Sequence, residues 1–264
     1  MKKIILFLLI SNLSKAECES VNIRFLADSK LEPIKVVFDR LKSDLEIDNF
    51  YKKKSSVKGV LILSSDKVSD DAHAAAGRVI QMMLKDNSEI TKRLIEAKAS
   101  INIFADDEKV SDFPEMSSLK GSKTFDGRNR DDICGTGGVP GRPLTTICEK
   151  NLLKKKNDPY FEKEDICTHE FAHTIMNVGF SSEQKAEIQS LYLKALTNNM
   201  YRRKDGHPSY EMADSQEFFA VLSGIWFKSF DKESPIHTPD LSDRESIKKT
   251  YPEMYEFLQK IYKD

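Results

Sequence analysis

The sequence lacks an excess of charge, a long apolar run and a large supply of histidine. Its 264 residues include 41 basic and 42 acidic side chains, and this net charge of −1 argues against a nucleic-acid-binding surface. No stretch approaches the roughly 20 apolar residues of a transmembrane helix, so we expect no membrane span. The hydrophobic content of 39% is typical of a soluble globular protein with a substantial core. The sequence indicates no oligomeric state.

The longest apolar run lies at the N-terminus and is short. Met1-Lys2-Lys3 is basic, Ile4 to Ile10 is apolar, and Ser14-Lys15-Ala16 places small residues where a signal peptidase cuts. We therefore expect residues 1–16 to be a signal peptide that is cleaved after Ala16. The mature protein is then secreted or periplasmic.

Cysteine is scarce but even in number. The four cysteines are Cys18, Cys134, Cys148 and Cys167. In an oxidising compartment this count predicts two disulfides, and all three pairings remain open. A bridge at Cys167 would anchor the segment that follows it, through Cys148 or Cys134.

That segment carries the chemistry. His169, Glu170 and His173 form an H-E-x-x-H pattern within an apolar helical stretch. Because positions i and i+4 share one helix face, both imidazoles can reach one zinc ion, and Glu170 can act as the general base on a water. Burying these polar groups among apolar residues is costly unless a metal or hydrogen bonds satisfy them. The pattern predicts one Zn²⁺ ion and a hydrolase.

Hydrophobic periodicity predicts a first half with β-α-α-β order and a mostly helical second half. The predicted strands cover about Ser20–Ala27, Gly59–Ser64, Ser100–Phe104 and Pro143–Cys148. The predicted helices begin near Pro33, Asp70, Asn87, Asp165, Ser181, Asp214 and Ser242. With the zinc motif, these elements indicate an α+β, zincin-like fold with a small mixed sheet and an active-site helix. We expect one domain over 17–264, with a scaffold part at 17–125 and a metal-site part at 126–264.

Several smaller features carry weaker expectations. The lysine run Lys52–Lys54 and His73 are expected on the surface, and the glycine cluster Gly135–Gly138 in a turn-forming loop. The cluster lacks the preceding strand of a phosphate loop, so nucleotide binding is not expected. The strand Pro143–Cys148 could pair with an extended peptide if it lies at a sheet edge, and an interior strand is the alternative.

The third zinc ligand decides the class of enzyme. A metzincin needs a glycine three residues and a histidine six residues after His173, where this chain has Met176 and Gly179. A short-gap gluzincin needs a glutamate about twenty residues after His173, where Tyr192 and Leu193 stand. Glu217 opens an apolar helix and is the favoured ligand, although it could instead close a capping box with Asp214. His207 and Asp214 are the competing donors.

The candidate site residues also resemble those of a known family. His169-Glu-Phe-Ala-His173 with Tyr210 and Glu217-Phe-Phe-Ala220 resembles the catalytic domain of anthrax-toxin lethal-factor-like zinc peptidases. The resemblance implies that Glu217 is the third ligand of a gluzincin and that Tyr210 assists catalysis. Residues 58–264 are also similar to a family of uncharacterised secreted proteins with the same His-Glu-Phe-Ala-His-Thr segment. In one departure, Val221 stands where these relatives carry an acid.

Two functions follow from these patterns. The first is a secreted zinc metallopeptidase, in which zinc is held by His169, His173 and Glu217 while Glu170 activates water against a peptide or protein substrate. The alternative is a zinc-stabilised secreted binding protein that cuts nothing. All the catalytic residue types are present, which favours the enzyme.

Overall fold

A computed structural model describes residues 49–124, 127–161, 164–229, 237–239 and 241–263. All of them belong to one compact unit, Ser43–Asp264. The predicted signal peptide, the strand near Ser20–Ala27, the helix after Pro33 and Cys18 lie outside the described residues. The division of 17–264 into a scaffold part and a metal-site part stays a prediction.

A five-stranded mixed sheet forms the centre of the described unit. Its strands are β1 (Lys53–Val57), β2 (Val60–Ser64), β3 (Ser100–Phe104), β4 (Gly135–Thr136) and β5 (Leu144–Cys148). They are arranged in the order β1-β2-β3-β5-β4. The three central strands are parallel, and β1 and β4 run antiparallel to their neighbours at the two edges.

The helices lie mainly in the second half of the chain. They are α1 (Asp70–Met83), α2 (Ser88–Glu96), α3 (Glu149–Leu152), α4 (Ile166–Thr174), α5 (Ser182–Thr197), α6 (Ser215–Trp226), α7 (Arg244–Thr250) and α8 (Pro252–Tyr262). The predicted α+β class, small mixed sheet and mostly helical C-terminal half are confirmed. Across the described ranges, no helix has the length and apolarity needed to cross a membrane.

The helix that carries the H-E-x-x-H pattern lies at the junction between sheet and helices. It packs against β5 on one side and most extensively against α6 on the other. After Thr174 the chain continues as a π-helical turn, Ile175–Gly179. A Cβ at Gly179 would lie 2.9 Å from the side chain of Ile90 on α2, so a glycine permits this close approach. Single π turns are frequent at functional sites.

Strand β1 was not predicted, and it changes the interpretation of the lysine run. Lys53 begins β1, and its ammonium group contacts Asp70 at 2.8 Å. Lys58 and Gly59 join β1 to β2 with positive φ values of 51° and 81°, as a two-residue type I′ hairpin requires. The exposed polar side chains of β1 lack the apolar alternation that reveals a strand in sequence.

The expectation that His73 lies on the surface was wrong. Its side chain is 9% exposed, with Nδ1 2.8 Å from Ser55 Oγ on β1 and Nε2 2.8 Å from Ser64 Oγ on β2. The β1–β2 hairpin therefore covers this histidine with two hydroxyl groups.

The edge of the sheet also differs from the expectation. Strand β5 lies inside the sheet between β3 and β4, so the interior alternative for Pro143–Cys148 is the correct one. The edge position belongs to β4, which is formed by the first half of the glycine cluster. At the C-terminus the single predicted helix is divided at Tyr251, because Pro252 starts a new helix.

Candidate metal centre

Helix α4 presents two imidazoles to the same point. Asp165 caps the helix by accepting a hydrogen bond from the backbone N–H of Thr168. One turn later, His169 and His173 project from the same face, and their Nε2 atoms are 3.1 Å apart. The two residues are only 6% and 7% exposed. Each ring therefore turns the same nitrogen towards a shared, largely dry position.

Helix α6 brings a carboxylate to that position. Asp214 is its N-cap, and Oδ1 accepts hydrogen bonds from the N–H groups of Gln216 and Glu217. The Glu217 side chain turns towards α4, with Oε2 3.2 Å from His169 Nε2 and Oε1 3.6 Å from His173 Nε2. Asp214 thus serves the helix end, while Glu217 joins the histidines.

The donor set fits a metal ion. Separations of 3.1, 3.2 and 3.6 Å approach the roughly 3.3 Å between ligands of a tetrahedral zinc site with bonds near 2.0–2.1 Å. The buried Glu217 Oε2 has no aligned hydrogen bond, which is costly without a cation to compensate. Two neutral nitrogens and a carboxylate are also a donor set that zinc accepts. His207, the competing donor, is exposed in its loop.

The electrostatics of the three groups are strongly coupled. Burial disfavours the charged form of His169, but the carboxylates of Glu164 and Glu217 outweigh it and raise the pKa of this imidazole well above its usual range. Burial also opposes ionisation of Glu217, yet the two histidines hold the pKa of its carboxyl far below its usual range. The site therefore favours a negative carboxylate facing a positive partner, whether proton or metal ion.

Glu170 and the glycine cluster lie beside this group. The Glu170 side chain is partly exposed, and desolvation by its surroundings raises the pKa of its carboxyl. A Cβ at Gly135 would lie 3.0 Å from Glu170 Cγ, and one at Gly137 would lie 2.3 Å from His173 Cβ. Only glycine allows β4 and the residues after it to approach α4 this closely. The sequence pattern predicts turn residues at these glycines and does not reveal this packing.

Tyr210 lies in a short 3₁₀ turn (Tyr210–Met212) ahead of α6. Burial raises the pKa of its phenol well above the usual value, and interaction with the Glu217 carboxylate raises it further. The hydroxyl is therefore protonated over the physiological range and able to donate a hydrogen bond next to the Glu217 carboxylate. The structure thus brings all five predicted site residues into one region.

Glu164 is a site residue that the sequence analysis did not single out. Its Oε1 lies 3.2 Å from Nδ1 of His169, within ion-pair distance although not aligned as a hydrogen bond. No local sequence pattern predicts this contact, because it depends on where the backbone places Glu164 before α4 begins.

The observed disulfide is one that the open pairings allowed, and it excludes a bridge from Cys167 to Cys134 or Cys148. Cys134 and Cys148 are bonded to each other and join the residue before β4 to the end of β5. Among the described residues Cys167 has no disulfide partner; it is buried, and burial raises the pKa of its thiol well above its usual range. Asp158 lies near Cys134 and Cys148, but their sulfurs are engaged in the disulfide and are not metal ligands.

Comparison with known proteins gives little beyond the geometry. No protein family and no curated protein matches the chain. Several solved structures are similar; among them, a Pro-Pro endopeptidase from Paenibacillus alvei aligns with 77% of this chain and 97% of its own length, at 19% identity and a TM-score of 0.49. At that identity and score, the likeness assigns neither a family nor an activity to this chain.

Proposed function

We propose that this chain is an exported zinc-dependent peptidase of the gluzincin type. His169, His173 and Glu217 hold one zinc ion, Glu170 is the general base and Tyr210 is a hydrogen-bond donor. The observation that carries the proposal is the buried convergence of the two Nε2 atoms and the Glu217 carboxylate, at 3.1 to 3.6 Å from one another. Two imidazoles and one carboxylate are the protein ligands of several zinc peptidases.

The residues around the ion would divide the chemistry between them. When bound, zinc supplies Lewis acidity, which lowers the pKa of a water to about 7 and polarises a carbonyl oxygen. Glu170 accepts a proton from the attacking water as the new C–O bond forms. It then passes that proton to the nitrogen of the leaving amine as the C–N bond breaks. Tyr210 donates its O–H to the carbonyl oxygen as negative charge develops there.

The sheet edge supports a peptide as the substrate. Within the described part of the chain, β4 pairs with β5 on one side and with no strand on the other. Gly135 and Gly137 hold this edge against α4, next to Glu170 and His173. An extended peptide can pair with such an edge through its backbone, which would bring a peptide bond towards the site.

A peptide library tests the proposal. The zinc-loaded chain is incubated with peptides derived from a whole proteome, and new termini are identified by mass spectrometry. We expect cleavage that a chelator abolishes and added zinc restores. Glu170→Gln should keep zinc but lower the cleavage rate by about 1000-fold or more, because an amide cannot take the proton from the attacking water. The matched control Glu89→Gln removes the same charge from an exposed position on α2 and should cleave normally.

Two results would contradict the proposal in different ways. Normal cleavage by Glu170→Gln would remove the general-base assignment. Stoichiometric zinc binding by the wild type with no cleavage of any peptide would favour the zinc-stabilised binding protein.

A further inference from the structure

We infer that Glu164 is a positioning residue for the metal centre: its carboxylate faces Nδ1 of His169 at ion-pair distance and so holds Nε2 towards the ion. The inference rests on the metal site of the proposed function, and does not depend on peptidase activity. Each nitrogen of the His169 ring faces a carboxylate. Glu164 Oε1 lies 3.2 Å from Nδ1, and Glu217 Oε2 lies 3.2 Å from Nε2. One imidazole is thus held between two carboxylates.

An imidazole that binds a metal through Nε2 carries its proton on Nδ1. A carboxylate at Nδ1 selects this tautomer, fixes the orientation of the ring and makes Nε2 a stronger donor. The His169 side chain is 8% exposed and that of Glu164 is 19% exposed, so water competes little for the contact. Among the described residues, Glu164 is the acidic group recorded at this nitrogen.

The backbone at Glu164 is held in place by the side-chain amide of Asn151. Asn151 is 5% exposed; its Nδ2 donates to the backbone carbonyl of Glu164 at 3.0 Å, and its Oδ1 accepts from the N–H of Ile166 at 2.9 Å. The same Nδ2 donates to Asp158 Oδ2 at 2.8 Å. One buried side chain therefore clamps the backbone on both sides of Asp165. Glu164 is presented to His169 by contacts that need no metal.

The second histidine provides an internal reference. Within the described ranges, neither Nδ1 atom has an aligned hydrogen bond, but a carboxylate lies within ion-pair distance of Nδ1 of His169 and none is found at Nδ1 of His173. Both histidines lie on α4 and turn Nε2 towards the same point. Among the described residues, only His169 has a carboxylate near its Nδ1 atom. Removing Glu164 should therefore affect one histidine and leave the other unchanged, which a general loss of structure would not do.

The experiment compares Glu164→Ala, Glu164→Gln and Glu256→Gln in the full chain. Zinc dissociation constants are measured by competition with a chromophoric chelator, and the imidazole nitrogens of the zinc-loaded protein are followed by ¹H–¹⁵N NMR. We expect Glu164→Ala to weaken zinc binding by about 10- to 100-fold, with Glu164→Gln between it and the wild type because the amide oxygen still accepts a hydrogen bond. The Nδ1 signal of His169 should move while that of His173 stays. Glu256→Gln, on an exposed face of α8, should match the wild type.

Other outcomes overturn the inference, and they can be told apart from failure of the proposed function. Wild-type zinc affinity in Glu164→Ala, or equal displacement of both histidine signals with a lower melting temperature of the metal-free protein, would leave Glu164 a structural residue at most. A wild type that binds no zinc would overturn this inference and the proposed function together. Zinc binding without peptide cleavage, with the expected loss in Glu164→Ala, would support the inference and contradict the peptidase.

Discussion

His73 on α1 and the His169–His173 pair on α4 are buried to a similar degree, with 9%, 6% and 7% of each residue exposed. Their ring nitrogens are satisfied in different ways. Both nitrogens of His73 are 2.8 Å from serine hydroxyls, which can donate or accept as a neutral ring requires. Burial and then the charge of Lys53 lower the pKa of His73, so that this ring stays neutral.

The α4 pair has no such neutral partners. Its Nε2 atoms face each other at 3.1 Å with a carboxylate beside them, an arrangement that requires a shared cation or proton. Burial alone therefore does not identify a functional histidine. The chemistry of the partners separates a histidine that completes a core from a pair whose nitrogens and neighbouring carboxylate could hold a cation.

The largest expected effect comes from removing the carboxylate that distinguishes the α4 pair. Glu217→Ala leaves two of three protein ligands, and we expect zinc affinity to fall by about 1000-fold or more, which corresponds to about 4 kcal/mol. Because a ligand that binds only the folded state stabilises it, a chelator should lower the melting temperature of the wild type far more than that of the variant. Titration calorimetry and thermal melting measure the two effects.

The control for Glu217→Ala is Glu256→Ala, which removes an exposed carboxylate from α8. It should keep both the zinc affinity and the chelator response of the wild type. Unchanged zinc binding in Glu217→Ala would return the third-ligand role to His207 or Asp214. It would also remove the chemical difference between the two histidine environments.

Much of the site follows from short-range rules. The i, i+4 spacing places His169 and His173 on one helix face whatever the remainder of the fold does. Asp165 and Asp214 cap their helices through local hydrogen bonds, as the sequence predicts. The α+β class follows from segment periodicity in the same way. No local rule connects Glu217 to the distant histidines of α4. Its choice as third ligand therefore rested on excluding other donors and on the resemblance to a known family.

The remaining features depend on contacts between distant segments. His73 is buried because β1, whose polar sequence shows no strand pattern, folds over it as a hairpin. The glycines at 135 and 137 matter because α4 passes within van der Waals distance of their backbone. Sequence periodicity reports which face of a segment is buried and not what it is buried against. Such tertiary contacts were therefore beyond the sequence analysis.

A smaller effect is expected when His73, the histidine bound by serine hydroxyls, is replaced instead. His73→Ala removes two hydrogen bonds and leaves the hydroxyl of Ser64, which is 0% exposed, with only its bond to the Ser65 carbonyl. We expect a loss of about 2 kcal/mol in the free energy of unfolding, measured by urea denaturation of the metal-free protein. Zinc affinity should stay within about twofold, since His73 contributes no ligand.

Here the matched control is His207→Ala, since His207 is exposed. It should change neither stability nor zinc affinity. A tenfold loss of zinc affinity in His73→Ala would show that the two histidine environments are coupled, and the distinction between a structural and a metal-binding histidine would fail.

The smallest effect concerns a third environment, in which a buried histidine faces a buried carboxylate. His237 Nδ1 lies 3.1 Å from Glu211 Oε2, and the N–H of Thr238 donates to Oε1 at 3.1 Å. Burial alone would raise the pKa of Glu211, but the bonds from His237 and Thr238 outweigh it and hold that pKa below its usual value of 4.5. Ionised Glu211 thus stabilises the fold fully above that value. This contribution to stability is lost as the pH falls from 4.5 through the lower pKa that Glu211 has in the folded state.

Glu211→Gln should therefore flatten the acid limb of the stability curve, measured by urea denaturation of metal-free protein between about pH 3 and pH 7. Comparison with the wild type cancels the titration of the α4 site, which both proteins share. Glu256→Gln should retain the wild-type slope, because this exposed group has no partner on which folding depends. A slope unchanged in Glu211→Gln would mean that the bonds from His237 and Thr238 do not favour the ionised carboxylate. The third histidine would then resemble His73, with a neutral partner, more than the charged arrangement on α4.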